Sequence, residues 1–320
     1  MNEFRYERPT TRAAALAALA APGSVAIGGG TDLLVTVEEG LVRPELVVDV
    51  RALPDAQQIT IREDGSAHLG AAVRIADLAA HPEIRTRFRV LAEAAESVGT
   101  PALRNMGTLA GNLAQRPRCW YLRRGVSCFK SGGEGCPAAR GENRYHGIVA
   151  DGPCRAVHPS DPAVALEALG ALVEIAGVDG VVRECTIAEL YKGASSNRSG
   201  ETTLAKGELI VGVQIPAAAA GGVQHWEKLM QRGAWDFALV SCAAVRRVDG
   251  TVRVAFGGAA LGPWRLTLSV EEDIASGGLD DDSLDALAER AMYDTAPLDG
   301  TAYKVTLAKA LLRRAMRALG

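Results

Sequence analysis

Long apolar runs are missing from this chain of 320 residues. No stretch approaches the roughly 18 consecutive apolar residues of a membrane span. The start, Met1-Asn2-Glu3-Phe4-Arg5-Tyr6, has neither the basic nor the apolar region of a secretion signal. The expectation is no membrane insertion and a cytoplasmic protein, or a periplasmic one if a signal-bearing partner carries it across folded. A charge surplus is also missing. The net charge of -3 gives no electrostatic case for nucleic acid. No internal repeat and no low-complexity tail occur. No nucleophile–base pair stands out either, which suits a protein whose cofactor carries the chemistry.

Cysteine is scarce but unevenly placed. Six in 320 residues are too few for a disulfide scaffold. Four of them, Cys119, Cys128, Cys136 and Cys154, crowd into 36 residues. Cys185 and Cys242 sit alone in apolar strand patterns and read as inert core thiols. Clustering of this kind favours metal or redox chemistry.

What is present begins with Ile27-Gly28-Gly29-Gly30-Thr31-Asp32-Leu33. Three glycines between two apolar runs let the backbone turn sharply and let its amides approach an anion closely. This reads as a pyrophosphate cradle. A plain strand-to-helix turn is the bland alternative. The G-x-G-x-x-G pattern fails because Leu33 stands where glycine is needed, and no G-K-[ST] follows. Asp49, about twenty residues on, imitates the ribose-binding acid of a Rossmann fold. An NAD-dependent Rossmann oxidoreductase with a zinc knuckle therefore stays as the runner-up. A zinc-stabilised module binding nucleic acid is a third reading.

A second loop, Arg104-Asn105-Met106-Gly107-Thr108-Leu109-Ala110-Gly111-Asn112, is suited to phosphate or ribitol oxygens, or is a capped turn entering a helix. Before and between the loops, the patterns predict a helix over 9–20, strands over 25–27 and 46–50, a hairpin around Asp64-Gly65, and helices over 75–80 and 88–97. Residues 113–157 lose apolar periodicity and carry eight basic residues against three acids. From Ser160 order returns: a capped helix to Leu169, a hairpin around Asp179-Gly180, and a strand over 208–215. A meander over 226–256 and helices over 284–293 and 302–319 follow. Arg313, Arg314 and Arg317 are expected to complement the last helix dipole. His68, His81 and His225 read as surface or packing residues.

The four clustered cysteines have eight, seven and seventeen residues between them, which matches no standard zinc or ferredoxin spacing. Their count suits a [4Fe–4S] cluster. Arg116, Arg118, Arg123, Arg124 and Lys130 would offset its charge, and glycines 132, 133 and 135 would offer N–H groups to its sulfurs. An iron–sulfur cluster, a zinc ion and unliganded thiols stay open, in that order.

These residues together resemble a known family. Ala26 to Leu33 and Arg104 to Asn112 resemble the two FAD loops of the xanthine dehydrogenase/carbon monoxide dehydrogenase flavoproteins. His158-Pro159-Ser160-Asp161 and the run from Lys228 to Ala238 resemble its later flavin segments, in the same order. The insertion 113–157 is similar to that of the FAD subunit of bacterial three-subunit molybdenum aldehyde oxidoreductases of the PaoABC type, through Gln115 to Tyr121, Gly141 to His146 and Gly152-Pro153-Cys154.

The resemblance implies an α+β fold. A two-subdomain FAD-binding domain of the vanillyl-alcohol-oxidase (PCMH-like) type, 1–53 and 54–216, precedes a CO-dehydrogenase-flavoprotein-type C-terminal α+β domain, 217–320. It implies FAD held by Ala26, Ile27, Gly28, Gly29, Gly30, Thr31, Asp32 and Leu33, with Thr108, Gly111 and Asn112 on the flavin side. Asp161 is expected at hydroxyls, and Ile210 and Lys228 at the isoalloxazine. It implies a [4Fe–4S] cluster on Cys119, Cys128, Cys136 and Cys154. The function implied is electron transfer, from a small [2Fe–2S] subunit through FAD to an acceptor, with oxidation at a large molybdenum-cofactor subunit. The assembly implied is a heterotrimer, open to dimerisation. Three departures stand out. Ala110 replaces a usual glycine, Val98 replaces a stacking aromatic of some relatives, and Asp236 is set to pair Arg232.

Overall fold

A computed structural model describes residues 3–278 and 280–320. The first unit runs β1 (Arg5–Glu7), α1 (Arg12–Ala20), β2 (Ser24–Ile27), α2 (Leu33–Glu38) and β3 (Leu46–Asp49). Its three strands are parallel in the order β1-β3-β2. Thr11 caps α1 by accepting the Ala14 N–H, and α1 lays Ala15, Leu16 and Leu19 on Leu46 and Val48. The glycine turn lies at the carboxyl end of β2, where a parallel sheet exposes its loops to ligands.

The second unit opens with β4 (Ile59–Ile61) and β5 (Ala67–Gly70). Then follow α3 (Ile75–Ala80), α4 (Pro82–Arg87), α5 (Arg89–Glu96), α6 (Pro101–Met106), α7 (Leu109–Leu113), α8 (Trp120–Arg123) and α9 (Asp161–Leu169). β6 (Leu172–Ala176), β7 (Val182–Thr186), α10 (Ile187–Leu190) and β8 (Leu209–Ile215) complete it. The antiparallel sheet has the order β4-β5-β8-β6-β7. All nine residues of α9 are buried, because sheets pack around it rather than water.

The third unit is β9 (Val223–Leu229), β10 (Val240–Arg246), β11 (Val252–Gly257), β12 (Trp264–Arg265), α11 (Leu268–Ser276), α12 (Asp281–Ala291) and α13 (Ala302–Leu319). Its sheet is antiparallel in the order β12-β11-β10-β9. Strand alternation splits β10 between two cores. Ala243 and Val245 face the core that holds α9, while Cys242 and Ala244 face the core that holds α11, α12 and α13.

Most expected elements stand where the patterns put them. The short helices α4, α6, α8, α10 and α11 went unread, since each is too brief or too polar to show a period. The arginines of α13 do not serve its dipole alone. Arg313, Arg314 and Arg317 pair with Asp285, Glu227 and Asp281. Among the described residues no helix is long and apolar enough to cross a membrane.

Candidate functional site

Two loops meet at the glycine turn. A Cβ on Gly29 would stand 1.7 Å from the Met106 carbonyl oxygen, and one on Gly28 would stand 2.3 Å from Thr108 Oγ1. Only glycine lets these segments touch. Gly30 takes φ +73°, the left-handed turn that feeds α2. The second loop is held from behind: Gly107 accepts the Ile75 N–H at 2.9 Å, and Leu109 donates to Val73 at 2.8 Å. Thr108 caps α7 by accepting the Gly111 N–H at 3.3 Å. Both readings of this loop therefore hold, since it is a capped turn and a groove wall at once.

Between the loops runs a groove of about 1450 Å³, open to solvent. Its lining reaches from the glycine turn past Thr108 to Lys228 and Phe237, which suits an extended ligand. Ala26, Gly28, Gly29, Gly30, Thr31, Asp32, Leu33, Thr108, Gly111, Asn112, Asp161 and Lys228 all line it. Ile27 and Ile210 do not. Ile27 is turned into the protein, and Ile210 on β8 belongs to the core of the second unit. Val98 lines the groove with Gly99 and Leu103.

Asp32 has a second task that its position in the glycine loop concealed. It accepts the Arg116 N–H at 2.7 Å and pairs with Arg118 at 2.8 Å and Arg123 at 2.9 Å. Its carboxylate thus ties the insertion to the glycine turn. His158 and Ser160 support the other wall. The His158 ring contacts the Gln115 carbonyl at 3.0 Å, and the Ser160 hydroxyl donates to Asn112 Oδ1 at 2.5 Å while capping α9. Burial pulls the His158 pKa down to about 4, so the ring is neutral.

Lys228 and Asp161 form a buried ion pair at 2.7 Å, and Lys228 also donates to the Ser97 carbonyl at 3.0 Å. Burial pushes the Asp161 carboxyl up, against the pull of Lys228. Arg232, Trp235, Asp236 and Phe237 close the same end of the groove. Asp236 accepts from the Arg232 amide and faces its guanidinium at 3.6 Å, as expected. Trp235 holds φ 52° beneath the Arg232 guanidinium, 5.5 Å from its ring centre. That loop lay inside the recognised run, but which of its residues reach the groove was not readable.

Asp49 is not available to a ligand. It is buried, accepts from the Tyr6 hydroxyl at 2.6 Å and pairs with Arg51 at 2.8 Å. The ribose-acid role in the Rossmann alternative fails on this geometry.

Cys119, Cys128, Cys136 and Cys154 line one tight cavity, closed by Tyr121, Phe129 and Lys130 among others. Burial raises the thiol pKa of Cys119, and that of Cys154 to about 11. Among the described residues no group of three or more His, Cys, Asp or Glu is arranged to hold a metal ion. The expected cations are mostly committed elsewhere. Arg116 pairs with Glu201, and Arg118 and Arg123 pair with Asp32. Lys130 faces the thiol cavity, with its ammonium on the carbonyls of Ala194 and Gly200. The Gly133 N–H is spent on the Cys128 carbonyl at 2.8 Å. Cys185 and Cys242 are buried, with their thiol pKa values raised by burial.

Two family models cover the chain. Residues 2–218 match the FAD binding domain in molybdopterin dehydrogenase, and residues 226–319 match the CO dehydrogenase flavoprotein C-terminal domain. The aldehyde oxidoreductase FAD-binding subunit PaoB of Escherichia coli (strain K12) is 38% identical over 321 residues, covering 98% of this chain and 96% of that one. The carbon monoxide dehydrogenase medium chain of Hydrogenophaga pseudoflava is 28% identical over 252 residues, 77% of this chain and 70% of that one. A solved structure of carbon monoxide dehydrogenase from the same organism superposes with a TM-score of 0.77 at 22% identity, covering 99% of this chain and 97% of that one.

Proposed function

This chain belongs to the FAD-binding medium subunits of the xanthine/CO dehydrogenase family, and from that premise we propose that it carries FAD and a [4Fe–4S] cluster as the electron-transfer subunit of a molybdenum-dependent aldehyde oxidoreductase. Electrons reach it from a [2Fe–2S] partner subunit and leave it for an acceptor. Substrate is oxidised at the molybdenum centre of a large partner subunit. The subdomains follow the three sheets, with boundaries after residues 53 and 216.

The observation that carries this reading is the adjacency of two built sites. A glycine-lined groove and a four-thiol cavity share the segment from Arg116 to Cys119, which Asp32 fastens to the glycine turn. The glycine turn and the Thr108 loop, which touch only because Gly28 and Gly29 lack a Cβ, give the groove the two backbone walls that an extended dinucleotide needs. Bound FAD supplies a carrier that takes up and releases two electrons. Ala26 to Leu33 line the pyrophosphate end, with Ile27 behind the wall. Thr108, Gly111 and Asn112 offer hydroxyl, amide and backbone groups. Lys228 brings a buried ammonium to the flavin end, held in place by Asp161.

Four thiols on one cavity match the four ligands that a cube requires, one on each iron. Cys119, Cys128, Cys136 and Cys154 are the ligands in this reading, and Lys130, itself paired with Glu201 at 3.4 Å, is the cation on the cavity wall.

The test is composition. Protein purified with its accompanying chains should hold one FAD and about four irons per copy of this chain, with flavin bands and a broad iron–sulfur shoulder. Folded protein with FAD and one zinc would refute the cluster. Folded protein without flavin would refute the groove assignment.

A further inference from the structure

We propose that Glu201 is a positioning residue for the metal group on the four thiols: it seats Lys130 beside them and holds down the reduction potential that the bare ammonium would give. This rests on the cluster reading above. Glu201 lies between α10 and β8, outside the insertion, yet its carboxylate meets two cations of the insertion. Arg116 donates to it from Nε and Nη2 at 3.2 Å each, and Lys130 Nζ faces it at 3.4 Å. Lys130 and Glu201 are both buried, so water screens neither.

The ammonium sits in a socket made by one segment. Nζ donates to the Ala194 carbonyl at 2.7 Å and the Gly200 carbonyl at 2.6 Å, and the Glu201 carboxylate supplies the third side. The same segment accepts the Cys154 N–H on the Ser195 carbonyl at 3.2 Å, and its Arg198 donates to the Gly133 carbonyl at 2.6 Å. Lys130 lies in the short turn Phe129–Ser131 that follows Cys128, and it lines the thiol cavity. Seating the ammonium therefore also fixes where Cys128 stands.

Stability alone does not account for these charges. Withdrawing ions from water costs about what their attraction returns, so an apolar pair of similar volume would serve the fold equally well. Metal-bound thiolates give the charges a use, because they are themselves negative. Reduction adds an electron to that group. A neighbouring ammonium favours the reduced state, and a neighbouring carboxylate opposes it. Two cations and one carboxylate leave Arg116, Lys130 and Glu201 with one net positive charge. Without the carboxylate the thiols would face two. Glu201 thereby keeps an electron from being trapped at the thiol site. Arg116 also gives its backbone N–H to Asp32 at 2.7 Å, so the same carboxylate joins the thiol cavity to the glycine turn.

The experiment compares Glu201→Gln, Lys130→Met and the double variant in the protein purified with its accompanying subunits. Iron content is measured first, then the potential by electron paramagnetic resonance titration. At the wild-type midpoint the reduced-to-oxidised ratio should rise on the order of tenfold in Glu201→Gln, as for one unit charge in an interior of effective dielectric about 20. It should fall by a similar factor in Lys130→Met. The double variant restores the net charge and should titrate close to wild type. A role confined to holding the fold would not move the two single variants in opposite directions. An equal or lower ratio in Glu201→Gln at equal iron content would overturn the inference. If Glu201→Gln loses its iron, the double variant decides. Iron regained with a potential close to wild type supports the pairing, and iron still absent overturns it. Wild-type protein lacking iron would sink the cluster reading instead, a separate result.

Discussion

Replacing Gly29 by alanine should strip the protein of flavin while leaving its iron in place. The added Cβ would lie 1.7 Å from the Met106 carbonyl oxygen and 2.4 Å from its carbon. At least 3.0 Å is needed, so the two loops must part by about 1.3 Å. The Met106 side cannot yield cheaply, because Gly107 is hydrogen-bonded to Leu103 at 2.7 Å and to Ile75 at 2.9 Å. Overpacking of this kind costs about 1–3 kcal/mol, or roughly 5- to 150-fold in affinity if the groove bears it. The assay is FAD titration of the flavin-depleted protein, with iron content and melting temperature measured alongside. Gly28→Ala provides an internal comparison. Its Cβ meets the Thr108 hydroxyl, so Thr108→Ala should relieve it and should not relieve Gly29→Ala. Stoichiometric FAD at wild-type affinity in Gly29→Ala would refute the convergence of the two loops on one ligand.

Serine at Cys119, Cys128, Cys136 or Cys154 should lower iron content sharply by metal analysis, while Cys242→Ser should leave iron unchanged, its thiol being shut in the core of the third unit. Asp32→Asn should lower both the unfolding midpoint and the iron content, because Arg118 and Arg123 lose their carboxylate; about 3 kcal/mol is expected from a largely buried site. An unchanged melt would show that Asp32 does not anchor the insertion. Asp49 should shape the acid limb of stability. Burial pushes its carboxyl up, but Arg51 and Tyr6 outweigh this and hold it at about 2 against 3.8. A pKa lowered on folding contributes stability above the unfolded value, and that contribution drains as pH falls from about 4 toward 2. Asp49→Asn should therefore flatten denaturation curves across that window, removing about 2 kcal/mol at neutral pH.

The elements that were readable are those whose cause is local. Thr11, Ser160 and Thr108 signalled helix starts because a cap bonds an amide three residues on. Asp64-Gly65, Asp179-Gly180 and Asp249-Gly250 signalled turns because glycine takes the positive φ. The glycine triplet was readable for the same reason, and so was its candidacy as a cradle. Ile210 shows the limit. Its alternating strand was evident, but whether it faced the groove or the core depended on how β8 packs between β5 and β6. Asp49 misled similarly, since its partner Tyr6 comes from a strand 43 residues away.

Neighbouring residues alone settled where the chain turns, which stretches are buried, and that four sulfurs fall within 36 residues. Packing across long separations decided the rest. It brought those sulfurs, irregularly spaced along the chain, to one cavity, and set Asp32 against arginines more than eighty residues away. Backbone preferences act over a few residues, whereas the meeting of distant side chains depends on how whole sheets and helices bury their apolar faces. A glycine announces itself; the atom that requires it, here the Met106 carbonyl, belongs to another part of the fold.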